Sequence, residues 1–264
     1  MPASGNLRGS LTLITGASSG IGAACAEVFA EAGSRLLIMA RRQDRLESLA
    51  ARLGDRHGSE VRIMVNDVSV AAAVTGAFES LPQEWQAVDI LVNNAGLVQG
   101  VAPEWETTSD DIDRMIDTNV KGLLTMTRLC VPGMLKRGRG HVINIGSIAG
   151  QETYPGGSIY AATKFAVKAL SRGLKMDLLG SPVRVSSIDP GLVETEFSLV
   201  RYDGDEQKAT EIYADTHPLR PEDIADAVFY AATRPPHVNI SEMLVLATDQ
   251  SAARMIHRRK KGRP

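Results

Sequence analysis

Cysteine is scarce in this chain: only Cys25 and Cys130 occur among 264 residues, far apart and each inside an apolar helical pattern. A disulfide scaffold is thereby excluded, and two buried, reduced thiols in a cytoplasmic protein are expected. The five histidines (His57, His141, His217, His237, His257) are scattered without metal-ligand spacing, so no metal site is expected. No apolar run is long enough to cross a bilayer, and the opening MPASGNLRGS has no basic stretch followed by an apolar one. Neither a membrane span nor a secretory leader is therefore expected. An excess of one charge is missing too. With 29 Lys and Arg against 31 Asp and Glu the net charge is -2, which gives no reason to expect nucleic acid or a membrane surface as partner. Repeats, low-complexity linkers and composition shifts are also absent, so residues 1–264 read as one domain with ample core.

What is present is an alternation of short apolar runs with longer helical patterns, the signature of βαβ units. Strands are expected at Leu11–Thr15, Arg35–Met39, Val61–Val65, Asp89–Val92, His141–Ile145, Val183–Ile188 and Met243–Leu246. Helices are expected at Ile21–Ala32, Asp44–Leu53, about Ser69–Ser80, from near Ser109, across Tyr160 and Lys164, and at Pro221–Thr233. The class is α/β: a single doubly wound, Rossmann-type domain with a seven-stranded parallel sheet flanked by helices. Ligands of such sheets lie beyond the carboxyl ends of the strands, so the loops after the first, fourth, fifth and sixth strands should meet at one crevice.

The first strand runs into Thr15-Gly16-Ala17-Ser18-Ser19-Gly20-Ile21-Gly22. Glycines permit a tight turn and close approach of a phosphate, whose charge is met by free amides at a helix start; a structural turn uses glycine too. The second strand ends in Ala40-Arg41-Arg42. An NAD site wants a carboxylate here for the ribose hydroxyls, whereas Arg41 offers a planar fork for a 2′-phosphate, with Ser18 adding a hydroxyl. Arg41 and Arg42 heading a solvated helix is the alternative. Asp67, before Val68, suits an adenine amino group or a helix cap. Asn93-Asn94-Ala95-Gly96 ends the fourth strand with small residues that suit a backbone lying along a cofactor. Asn119 stands inside an apolar helical pattern, where an Asn often marks a local break.

Tyr160 and Lys164 are four apart on a proline-free helical stretch and share one face. An ammonium beside a phenol favours the phenolate, so the tyrosine pKa is expected to fall towards the working pH. Ser147, ending the preceding strand, can hydrogen-bond the same reacting oxygen.

Together TGASSGIG (15–22), NDV (66–68), NNAG (93–96), Asn119, Ser147, YAATK (160–164) and PGLVET (190–195) resemble the short-chain dehydrogenase/reductase family, NADP-using branch. The resemblance spans about Leu11 to Thr195, in the family's order and spacing. It implies a catalytic tetrad of Asn119, Ser147, Tyr160 and Lys164. Tyr160 would be the acid/base, Ser147 its hydrogen-bonding companion, Lys164 the ribose ligand, and Asn119 the holder of a relay water. NADP(H) would contact Gly16, Ser18, Ser19, Gly20, Ile21, Arg41, Arg42, Asp67, Val68, Asn93, Ala95 and Gly96. Tyr160, Lys164, Pro190, Gly191, Val193 and Thr195 would complete that set.

MIDTNVKGLL, DPGLVETEFSLVRYDGD and LRPEDIADAV are similar, more narrowly, to NADP-dependent serine and 3-hydroxy acid dehydrogenases and to sulfoacetaldehyde reductases. That likeness implies a small anionic substrate met by Ser147, Tyr154, Tyr160 and a cation. Arg201 is the candidate, a solvated loop arginine the alternative. It also implies a homotetramer. The chain departs from the subgroup at SEMLVLATDQ and in its basic tail, residues 251–264, which is expected to be solvated, lining a subunit contact being the alternative. The stretch from about 195 to 218 is expected to order over the substrate. A reductase of bulkier neutral ketones and a non-catalytic dinucleotide sensor are the alternatives.

Overall fold

The computed structural model describes residues 7–259. In chain order it has β1 (Leu11–Thr15), α1 (Gly20–Glu31), β2 (Arg35–Ala40), α2 (Gln43–His57), β3 (Val61–Val65), α3 (Ala71–Glu79), α4 (Gln83–Gln86) and β4 (Ile90–Asn93). There follow α5 (Ser109–Ile116), α6 (Leu123–Arg137), β5 (Gly140–Ile145), α7 (Ser158–Asp177) and β6 (Val183–Pro190). The chain closes with α8 (Phe197–Arg201), α9 (Glu206–Glu211), α10 (Pro221–Ala232) and β7 (Glu242–Val245). The strands form one parallel sheet in the order β3-β2-β1-β4-β5-β6-β7, so the winding reverses between β1 and β4. The expectation about a leader falls partly on residues 1–6, outside the described residues.

Alternation along each strand builds the two faces. Ile14, Leu36 and Ile38 pack with Phe29, Leu46 and Val228 of α1, α2 and α10. Leu13, Leu37 and Met39 pack on the other face with Val74, Phe78, Met126 and Met134 of α3 and α6. Both faces are covered, which is why the strands read as continuous apolar runs rather than alternating ones.

The helix foreseen from Ser109 is interrupted. Residues Asp117–Gly122 form a π-helical segment between α5 and α6, and Asn119 lies within it. A π turn frees backbone groups from the regular ladder and re-aims the side chains it carries.

The first turn is held by a close approach. A Cβ on Gly22 would lie 2.4 Å from the Gly16 carbonyl oxygen and 2.5 Å from Asn94 Nδ2. That amide is already pinned, donating to the carbonyls of Thr15 at 2.9 Å and Gly16 at 3.2 Å. Gly22→Ala is expected to destabilise the fold by about 1–3 kcal/mol, read as a lower denaturation midpoint at unchanged m-value. An unchanged midpoint would show that the turn yields.

Candidate active site

Loops from the carboxyl ends of β1, β2, β4, β5 and β6 converge on a cleft of about 660 Å³. Thr15 sets the first corner: its Oγ1 accepts from the backbone amides of Asn94 at 3.1 Å and Ala95 at 2.9 Å, tying β4's end to β1's. Gly16 and Gly20 adopt φ of 67° and 53°, the left-handed region, and bring the turn over the start of α1. Gly16, Ser18, Ser19, Gly20 and Ile21 all line the cleft, as do Arg41, Arg42, Asp67 and Val68.

The two arginines have different surroundings. Arg42 donates to Ser18 Oγ from Nε at 3.2 Å and from Nη2 at 3.0 Å, and to Ser19 Oγ at 2.8 Å. Its Nη1 donates to Glu196 Oε2 at 2.9 Å. Arg41 reaches out to Asp67 at 3.6 Å and is mostly exposed. Asp67 accepts from the Ser69 amide at 3.0 Å and hydroxyl at 2.7 Å, the local turn-capping geometry. Ser18, expected to offer its hydroxyl to the phosphate, is thus engaged by Arg42 in the free protein.

Asn93 does not line the cleft. It is buried, and its Nδ2 donates to Asn144 Oδ1 at 2.9 Å and Thr127 Oγ1 at 3.3 Å. Its successor Asn94 lines the cleft together with Ala95 and Gly96. Strand alternation turns neighbours to opposite sides, so the two asparagines of one motif have separate tasks.

Ser147 follows β5 and caps a short 3-10 turn, accepting from the Ala149 amide at 3.1 Å. Tyr160 and Lys164, in the first half of α7, are both buried and both line the cleft. Lys164 Nζ donates to the Ile145 carbonyl at 2.8 Å and lies 5.9 Å from the centre of the Tyr160 ring. Asn119 uses its amide on the backbone: Oδ1 accepts from Leu97 N–H at 2.8 Å, and Nδ2 donates to the Leu97 carbonyl at 2.8 Å and Thr163 Oγ1 at 3.0 Å. The π segment is thereby stapled to the loop after β4 and to α7.

Electrostatics here overturn one expectation. Burial pushes the Tyr160 phenol up to about 12, partly offset by the Ser147 hydroxyl and the Arg201 charge. Lys164 is driven down to about 8, again by burial, with the Asp189 carboxylate partly restoring it. Desolvation disfavours the charged form of each group and dominates both shifts. The lowered phenol pKa inferred from the spacing is not a property of the free protein.

Arg201, at the end of α8, points into the site rather than into solvent. Its guanidinium lies 5.9 Å from the Tyr160 ring centre and 5.7 Å from that of Phe197, and its Nη2 donates to Tyr154 OH at 3.2 Å. Pro190, Gly191, Val193 and Thr195 form the adjoining wall. A Cβ on Gly191 would press on the Gln250 side chain, whose Oε1 accepts from the Leu192 amide at 2.7 Å.

Several lining residues had no signal in the sequence reading: Leu97, Phe197, Tyr213, Arg254, Ile256 and Arg258. The last three belong to the tail expected to be solvated. Arg254, Arg258 and Arg259 are indeed exposed, and the tail is tied down as well: Arg258 donates to the Ala214 carbonyl at 2.6 Å, and the Arg259 amide to the Asp215 carbonyl at 2.7 Å. Carbonyls left over beyond the end of α9 recruit these arginines. Residues 260–264 of the tail lie outside the described residues. Among the described residues no group of three or more His, Cys, Asp or Glu could hold a metal, and no helix is long and apolar enough to cross a membrane.

The short chain dehydrogenase family model matches residues 10–204. The chain belongs to that family. It is thus an oxidoreductase acting on CH–OH groups. It is 46% identical over 250 residues to the NADP-dependent 3-hydroxy acid dehydrogenase of Salmonella typhi, covering 94% of this chain and 99% of that one. Sulfoacetaldehyde reductase 2 of Chromohalobacter salexigens is 43% identical over 242 residues, covering 91% and 95%. Among solved structures, the closed form of serine dehydrogenase complexed with NADP+ aligns with a TM-score of 0.87 at 44% identity, covering 95% of this chain and 100% of that one.

Proposed function

We propose that this protein is an NADP(H)-dependent dehydrogenase of small anionic substrates: 3-hydroxy acids such as serine, allo-threonine or 3-hydroxypropionate, or the corresponding aldehydes. The observation that carries the substrate class is the Arg201 guanidinium, held within 5.9 Å of the Tyr160 ring and hydrogen-bonded to Tyr154. A planar fork beside the acid/base suits a carboxylate or sulfonate next to the reacting carbinol.

The residues fit the dinucleotide. The close-packed glycine turn admits a backbone-hugging phosphate, and Ala40 is neutral where an NAD site wants a carboxylate. Arg41, Arg42 and Arg45 gather cations beyond β2, where a 2′-phosphate would be met. When bound, the nicotinamide accepts or supplies the hydride. The proton is the protein's task. Tyr160 exchanges it with the substrate oxygen, Ser147 hydrogen-bonds that oxygen, and Lys164 holds the ribose and favours the phenolate. Asn119 holds the loop after β4 against α7 and supports the proton path behind the lysine. The exposed apolar side chains of Leu124 and Leu135 on α6, and of Phe165 and Met176 on α7, support packing as a homotetramer through those helices.

Arg201→Ala is expected to lower kcat/KM for 3-hydroxy acids about 10- to 100-fold, the scale of a lost charge-assisted pair, while neutral alcohols change little. The assay offers NADP+ with serine, allo-threonine and 3-hydroxypropionate, and NADPH with sulfoacetaldehyde and bulky ketones. Activity confined to neutral ketones and indifferent to this substitution would give the site to a neutral-carbonyl reductase instead.

A further inference from the structure

The cation cluster beyond β2 is already occupied by an internal anion. Glu196, the N-cap position of α8, lies 154 residues from Arg42 in sequence, yet its Oε2 takes Arg42 Nη1 at 2.9 Å. Its Oε1 takes Arg45 Nη1 at 2.6 Å. Both arginines hold its carboxyl below the ordinary carboxylate range, Arg45 most strongly. Arg42's remaining contacts go to Ser18 and Ser19, so three of its nitrogens are engaged before any ligand arrives. Glu196 also begins the segment that carries Phe197 and Arg201 over Tyr160.

We propose that Glu196 is an internal stand-in for the 2′-phosphate, a carboxylate plug that latches the start of the α8 segment to Arg42 and Arg45 until a phosphate-bearing nucleotide displaces it. The inference rests on the NADP reading above. A dianion arriving at Arg42 repels a carboxylate that shares the same guanidinium, and the arginines exchange one anionic partner for another. The latch then opens at the adenosine end of the cleft, and α8 is free to settle on the substrate end. A nucleotide without the 2′-phosphate leaves the latch shut. The plug therefore makes the phosphate a signal for lid movement as well as a source of affinity, and it costs the enzyme part of that affinity.

The latch is half-exposed at all three side chains, so its worth is that of a screened pair. Glu196→Gln keeps the size and one acceptor while removing the charge. It is expected to tighten NADPH about three- to tenfold by fluorescence titration at low salt, with NADH changed less than twofold and the gain shrinking as salt rises. Adenosine 2′,5′-bisphosphate should raise hydrogen exchange across 196–201 in the wild type, and adenosine 5′-monophosphate should not. In Glu196→Gln that segment should exchange quickly before any addition. Equal NADPH affinity in the two proteins, or exchange indifferent to the bisphosphate, would overturn the plug. Arg42→Ala keeps the two claims apart. If it loses no preference for NADPH over NADH, Arg42 does not meet the 2′-phosphate and the plug fails with it; if it does while Glu196→Gln changes nothing, only the plug fails.

Discussion

Tyr160→Phe is expected to lower kcat by about 10²- to 10⁴-fold, the scale of a positioned acid/base, while NADPH still binds. The substitution removes one oxygen. The ring keeps its tilted contact with Phe197, 5.7 Å between centres, and its buried place among Leu97, Val98 and Ala161. What goes is the O–H that gives or takes the proton, together with its contact to Ser147. With the phenol pushed up to about 12 in the free protein, it is protonated at neutral pH and ready to donate to a carbonyl being reduced. Alcohol oxidation needs the opposite state, so its rate should climb as pH rises through the neutral range, and the Phe variant should lose that climb. Steady-state rates in both directions, with a separate binding titration for NADPH, measure both effects. Near-normal turnover in the Phe variant would assign the proton to another group.

Why the sheet was legible is plain from β1, β2 and β4. Each is a short, mostly apolar run bounded by turn residues, and burial on both faces leaves only Thr12, in β1, as a polar residue within a run. The pairing of Tyr160 with Lys164 follows from helical spacing alone, and Asn119's break in the helix follows from its polarity. The features that escaped are those decided by parity or by distant partners. Whether Asn93 or Asn94 faces the cleft depends on where the strand's alternation is counted from. That Arg42 takes up the Ser18 hydroxyl depends on the geometry of the loop after β2. Arg258 finds its carbonyl 44 residues back in the chain, and nothing near it in sequence announces that bond. The phenol's acidity escaped for a different reason: spacing brings the ammonium close but says nothing about how much water is lost.

That loss of water makes Lys164 a liability to the fold, which can be tested. In the folded protein its pKa is about 8, against an ordinary value of 10.5. The folded state therefore binds this proton less tightly than the unfolded chain. Below pH 8 both states are charged and the folded one bears the whole cost of the buried ammonium; between 8 and 10.5 the cost dwindles; above 10.5 both are neutral and it is gone. Two and a half pKa steps correspond to about 3 kcal/mol. Against this stands the hydrogen bond to Ile145, worth about 1 kcal/mol and lost on substitution. Lys164→Met is thus expected to stabilise the free protein by about 2 kcal/mol at pH 7, with the gain fading as pH rises towards 10, while dehydrogenase activity falls by orders of magnitude. Denaturant melts of both proteins across that pH range measure the difference. A Met variant that unfolds sooner at pH 7 would mean that Ile145 and Asp189 together repay the buried charge, and the lysine's depressed pKa would have to be abandoned. A stabler but inactive variant would mean that the fold carries this ammonium for what it does to the phenol and the ribose.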